Sequence, residues 1–123
     1  MKKILFIPLL FVCCLGISQS SVIGKPIFLQ KFAIAQYQFI EEMNWKDAKA
    51  ACAKLGNGWR LPTADELKVM YKYKDKIGNF NERLYWSSTG GVMDFGGAGY
   101  FPDKIEGIRF QVFTIYVRAV KSL

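Results

Sequence analysis

The sequence predicts a small α+β domain, and three stretches carry that prediction. An alanine-rich run at residues 45–55, WKDAKAACAKL, repeats its apolar positions at helical spacing and ends at Gly56. A second helix is announced at residues 60–67, RLPTADEL, where Thr63 and Glu66 stand three apart in the pattern of a capping box. Segments rich in β-branched and aromatic residues lie on both sides of this helical pair, at 31–40 and again between 84 and 120.

From its first residue, the chain begins as a leader. Lys2 and Lys3 precede an apolar run from Ile4 to Leu15, and small and polar residues follow. This is the layout of a secretory signal peptide, and the run is too short for a membrane span. Gly16 and Ser18 are small residues suitably placed for a cut after Ser18, and Ser18 with Ser20 offers a second site. The expected layout is a leader over 1–18, an N-terminal arm over 19–30 and one folded domain over 31–123. The mature protein is expected outside the cytoplasm, whether secreted, periplasmic or surface-associated, with no transmembrane segment after cleavage. Cys13 and Cys14 raise the question of lipid attachment. The residue before an acylated cysteine is normally small, and Val12 or Cys13 fits that place poorly, which argues against a lipoprotein.

Within the arm, Gly24 and Pro26 oppose a helix. Residues 31–40, KFAIAQYQFI, alternate only in part but are rich in strand formers, so a strand is expected there. Asn44 is a good N-cap, with Asp47 placed to favour the first turn of the helix over 45–55. Gly56 can take the left-handed conformation that closes that helix, and Asn57 with Gly58 turns the chain. Trp45, Ala48, Cys52 and Leu55 share one helical face, so Cys52, the single cysteine left after export, is expected as an inert core residue. Pro62 holds Leu61 extended, and Leu67, Met70 and Tyr71 then share a face beside Ala64. Trp59 and Leu61 are expected to pack against both helices.

Further on, Lys72, Lys74 and Lys76 suit a helix C-terminus that stops at Gly78. Residues 84–89, LYWSST, predict a strand. Residues 90–99 are expected as a long glycine-rich loop, without the GK[ST] of a phosphate-binding loop. Residues 100–101, 108–113 and 115–120 predict further strands, with Lys104 and Gly107 in the turn between the first two. There is no internal repeat and no second domain.

Composition limits the chemistry. Apolar residues make up 51% of the chain and aromatics 15%, which suits a folded core. The net charge of +7 only weakly favours acidic glycans, lipid headgroups or nucleic acid, and a lysine-rich soluble surface accounts for it better. The lysines around 72–76 read as a solvated helix end, so nucleic acid is not an expected partner. Histidine is absent from the whole chain, which removes the commonest general base and the commonest metal ligand. No cofactor and no metal are expected.

Five motifs then occur in order: WKDAK at 45–49, Cys52 with Leu55, GWRLPT at 58–63 with Glu66 and Leu67, YWSST at 85–89, and VRAV at 117–120. Over about residues 36–121 the chain resembles the Lcl C-terminal domain family. That resemblance implies a C-type-lectin-like α+β fold, with two helices packed on twisted antiparallel sheets and the chain ends paired. The RLPT-then-acid pattern also looks like the sulfatase-modifying, formylglycine-generating enzymes. Those enzymes depend on a pair of cysteines, whereas here the one mature cysteine lies on the first helix, so their activity does not carry over. Calcium-dependent lectins use Glu-Pro-Asn or Gln-Pro-Asp and Trp-Asn-Asp motifs, none of which occurs here. A similar fold does not bring these chemistries with it.

The expected function is a non-enzymatic exported binding module for a glycan or another envelope or extracellular component; some members of the resembled family act in adhesion and recognise sulfated glycans. The variable region of such folds points to residues 90–107. Tyr100 and Phe101 are candidates to stack on sugar rings, Asp94, Asp103 and Glu106 to accept hydroxyl hydrogen bonds, and Lys104 and Arg109 to meet an anionic group. Each also has a plain reading as a core aromatic or a solvated loop charge. Two alternatives stand beside this one. Asp94, Asp103 and Glu106 would be the acid and base of a hydrolase, although as a calcium site they supply too few oxygens. Otherwise the chain is an assembly subunit with an extracytoplasmic protein partner, which an exposed patch of Phe95, Tyr100 and Phe101 would favour over a polar cleft. Among the motif residues, Trp45, Trp59 and Trp86 are expected to pack, Thr63 and Glu66 to cap, and Arg60 and Arg118 to act as internal hydrogen-bond staples.

Overall fold

The computed structural model describes residues 22–102, 104–105 and 107–123. The expected leader, its cysteines, and the candidates Asp103 and Glu106 lie outside the described residues. The rest is an α+β domain built on three antiparallel sheets.

The largest sheet joins the two ends of the chain. Its strands are β1 (Ile27–Leu29), β2 (Phe32–Ile34), β9 (Val120–Ser122) and β3 (Trp59–Arg60), in that spatial order. Ile34 pairs with Val120, and Arg60 pairs with the same Val120 from the other side. A three-stranded sheet holds β4 (Leu84–Trp86), β5 (Val92–Asp94) and β6 (Gly99–Phe101). It joins the C-terminal segment through a parallel bridge between Tyr85 and Tyr116, where the Trp86 N–H donates to the Tyr116 carbonyl at 3.0 Å. The third sheet is a two-stranded finger of β7 (Lys104–Ile105) and β8 (Ile108–Arg109).

Helices cover both faces of the central strands, and strand alternation decides which side chain meets which helix. Ala33 and Ala35 point to one core, with Ala48 and Cys52 of α1 (Trp45–Lys54), Trp59, Leu61 and Trp86. Phe32 and Ile34 point to the other, with Leu67 and Met70 of α2 (Ala64–Lys72), Tyr85 and Phe95. Tyr85 and Trp86, or Val92 and Met93, split between the cores in the same way. Each large side chain buried this way contributes about 1.5–3 kcal/mol. The short α3 (Lys74–Ile77) follows α2, and Gly78 ends it at φ +77°.

Both long helices start as expected. The Asn44 side chain accepts from the Asp47 N–H at 2.8 Å. At α2, Thr63 Oγ1 accepts from the Glu66 N–H at 3.1 Å, and Glu66 Oε1 accepts from the Thr63 N–H at 2.9 Å.

Several expectations differ from the fold. The strand expected over 31–40 stops at Ile34, because the N–H groups of Gln36 and Tyr37 turn to the carbonyls of Ile23 and Val22. Those two residues, with β1, make part of the N-terminal arm integral to the fold. The glycine-rich loop expected over 90–99 contains a β-hairpin, β5 to β6. Its glycines serve the turn: Gly97 and Gly99 have φ of +111° and +103°. Residues 108–113 are not one strand, since β8 gives way to a 3₁₀ turn (Phe110–Val112) that puts Phe110 into the core. Lys104 lies in β7 rather than in a turn, and Gly107 is left-handed at φ +80°. Over 115–120 the chain pairs by single bridges until β9 begins.

Candidate functional site

Among the described residues, those expected to bind ligand do not converge. Asp94 spends its carboxylate locally, accepting from the Gly96 N–H at 2.8 Å and the Ala98 N–H at 3.3 Å, so it closes the β5–β6 turn. Tyr100 packs its ring against the α2-side core, and its hydroxyl meets Ser87 Oγ at 2.9 Å. Phe101 alternates to the opposite core, 6.1 Å from the Phe110 ring. Lys104 and Arg109 are exposed cross-strand partners on the finger. Phe95 is 2% exposed. Tyr100, Phe101 and Phe95 therefore form neither one exposed patch nor the wall of a polar cleft.

The motif residues hold the scaffold. Trp86 is fully buried and its Nε1–H donates to the Met43 carbonyl at 2.7 Å, while the half-buried Trp45 donates to the Ser87 carbonyl at 3.0 Å. Trp59 lies in the α1-side core. Arg60 grips Glu66 with two parallel hydrogen bonds of 2.7 and 2.8 Å and reaches Ser122 Oγ at 2.7 Å. Burial raises the Glu66 pKa, but the hydrogen bonds from Arg60 and Thr63 outweigh it and hold the carboxyl below its usual range. Burial pushes the Cys52 thiol up to about 12, which leaves it neutral and unreactive.

Arg118 is the most unusual of these. Its guanidinium is fully buried, yet the groups it meets are carbonyls rather than carboxylates: Ala35 at 2.7 Å, Gln36 at 2.7 Å, Gly78 at 3.1 Å and Asn79 at 3.3 Å. The Phe80 ring covers it at 4.4 Å. Burial lowers its pKa to about 10, with the neighbouring Tyr85 opposing, so it remains cationic at neutral pH. Arg118 thus ties the 35–36 segment to the 78–80 loop.

Those two segments form a groove that the sequence did not reveal. It has a volume of about 1050 Å³ and runs between residues 37–43, the outer side of α1 at Ala51, Lys54 and Leu55, and residues 79–81, with Val22 at one end. This is at or slightly above the upper end of the volumes typical of ligand sites, about 300–1,000 Å³. Tyr37, 45% exposed, and the half-buried Phe39 supply aromatic surface. Gln38, Asn79 and Asn81 supply amides, and Glu41 and Lys54 are the charged residues. Tyr85 lies beneath, donating its hydroxyl to Gln38 Oε1 and accepting from the Asn81 N–H at 2.8 Å. Asn79 donates to the Gln36 carbonyl at 3.2 Å from a left-handed backbone at φ +63°. The only sequence signal for this groove was the cluster of amides and aromatics in QYQF and NFN, at 36–39 and 79–81.

The groove holds one carboxylate, Glu41, whereas glycoside hydrolysis uses two. Among the described residues, no group of three His, Cys, Asp or Glu side chains could hold a metal ion, and no helix is long and apolar enough to cross a membrane. No protein-family model matches the chain, and no curated protein matches it.

Proposed function

We propose that this chain is an exported, non-enzymatic binding module of the Lcl C-terminal, C-type-lectin-like kind. Its ligand is a glycan or another envelope or extracellular component. The observation that carries this reading is the groove: an open aromatic and amide-lined site of about 1050 Å³ with a single carboxylate. Export rests on the leader, with its lysines, its apolar run and its small residues near Ser18. The binding surface moves from residues 90–107 to the groove, because Asp94, Tyr100 and Phe101 are engaged within the fold.

A second reading has its own support. Ile40 is 94% exposed, and Val112 and Phe113 are 71% and 46% exposed. Apolar surface of this kind suits a protein partner and an assembly role. A glycan array probed with the purified protein, with calcium and then with chelator, separates the two. Glycan binding that disappears in Tyr37→Ala supports the module. Silence from a protein that melts cooperatively favours the protein partner.

A further inference from the structure

We infer that the groove takes an uncharged sugar ring, although the protein as a whole is basic. This inference rests on the binding-module reading and names its ligand class.

Four lysines stand outside the lining of the groove. Lys68, Lys72, Lys74 and Lys76 all belong to the α2–α3 segment, and three of their ammonium groups lie over tyrosines: Lys68 over Tyr100 at 5.7 Å, Lys72 over Tyr73 at 5.6 Å and Lys74 over Tyr71 at 5.7 Å. The groove itself carries Glu41 and Lys54, which are of opposite sign and both exposed. A sulfate or carboxylate seated there would meet a single mobile ammonium and face a carboxylate, a poor exchange for its hydration.

Nor can the buried cation behind the wall serve an anion. Recognition of sulfate or carboxylate by arginine needs its planar donor fork. All three nitrogens of Arg118 are already hydrogen-bonded to backbone carbonyls, at Ala35, Gln36, Gly78 and Asn79. Arg118 shapes the wall and leaves recognition to the groups in front of it.

Those groups match hydroxyls. The Tyr85 hydroxyl occupies Gln38 Oε1, which fixes the Gln38 amide and leaves its two N–H donors for a ligand. Asn79 donates to Gln36, which leaves its own carbonyl oxygen as an acceptor. The Asn81 side chain can give and accept. Neutral amides exchange hydrogen bonds with hydroxyls without the cost of stripping water from a charge. The exposed face of Tyr37 supplies a flat apolar surface for the C–H face of a pyranose ring. The volume of about 1050 Å³ accommodates a short oligosaccharide rather than a single ring.

Isothermal titration of the purified protein tests this. The neutral probes are hexasaccharides of glucose, N-acetylglucosamine and mannose; the anionic probes are dextran sulfate and a heparin hexasaccharide. Each is titrated at about 0.05 M and about 0.5 M NaCl, a range over which exposed charge interactions are strongly screened. The expected result is binding of a neutral probe that changes less than about twofold with salt. That affinity falls at least about tenfold in Tyr37→Ala and in Asn81→Ala, a loss of about 1.4 kcal/mol or more. It is unchanged in the double variant Lys72→Ser with Lys76→Ser. Asn81 is exposed and its side chain makes no hydrogen bond among the described residues, so this variant keeps the test decisive if Tyr37→Ala folds poorly. Binding of sulfated probes alone, lost with salt and in the lysine variant, overturns the neutral-ring inference while the binding-module reading survives. Neutral binding that survives both groove variants overturns the site. No binding by any probe, from a protein that melts cooperatively, overturns the inference and the glycan reading together.

Discussion

Trp86 shows how much one side chain can fix. It is fully buried between a helix and two sheets, and its indole N–H caps the Met43 carbonyl at 2.7 Å. Trp86→Ala is expected to cost about 3–5 kcal/mol, read as a lower midpoint in urea with an unchanged slope. Arg118→Lys keeps the charge but cannot span four carbonyls, and each buried carbonyl left without a donor costs about 1–3 kcal/mol. The same variant is expected to weaken ligand binding in the groove, because the 78–80 loop loses its tie to residues 35–36. Cys52 gives a pH test. Burial raises its thiol to about 12, while an unfolded thiol sits near ~8.5. The neutral thiol therefore contributes stability fully below ~8.5, and that contribution is lost as the pH rises through the folded value. Cys52→Ala is expected to flatten this alkaline decline in thermal melts, and a thiol reagent should label wild-type Cys52 only on unfolding.

At the scale of elements, what was legible was local. The capping box of α2 needs only Thr63 and Glu66, three residues apart, and both of its hydrogen bonds form. Thr63→Ala is expected to cost about 1 kcal/mol, measured by urea melts. The Asn44 cap and the Gly56 stop of α1 were legible for the same reason. The β5–β6 hairpin was hidden because the glycines of 90–99 read as a loop, although Gly97 and Gly99 serve its turn and Gly91 permits close packing. A Cβ on Gly91 would collide with the Tyr100 hydroxyl and the Pro102 carbonyl oxygen. Gly91→Ala is therefore expected to lower the melting temperature, whereas Gly58→Ala meets no neighbour and strains only its own backbone at φ +87°. The 108–113 segment misled because its apolar residues suit a strand, while Phe110 turns inward to reach Phe101.

For the whole molecule, the α+β class followed from local patterns, but the groove did not. It is assembled from four separated stretches, at 22, 37–43, 51–55 and 79–81, and pairing across the fold brings them together. The candidate residues at 94–109 were drawn from one contiguous region, whereas the fold sends Tyr100 and Phe101 to opposite cores. The net charge of +7 was compatible with an anionic ligand, but the groove itself carries one charge of each sign, Glu41 and Lys54. Charge totals describe a surface, and only the fold says which part of that surface carries a site.

The central claim is that ligand enters the groove beside Tyr37, and a nitrogen–proton correlation spectrum tests it most directly. A neutral oligosaccharide is titrated into isotopically labelled protein while the side-chain amides of Gln38, Asn79 and Asn81 are followed. The account predicts saturable shifts at those three amides and along the backbone of residues 37–43, with α2 and the 104–109 finger unmoved. Shifts confined to the lysine-bearing helices or to the finger, with the three amides silent, would contradict it.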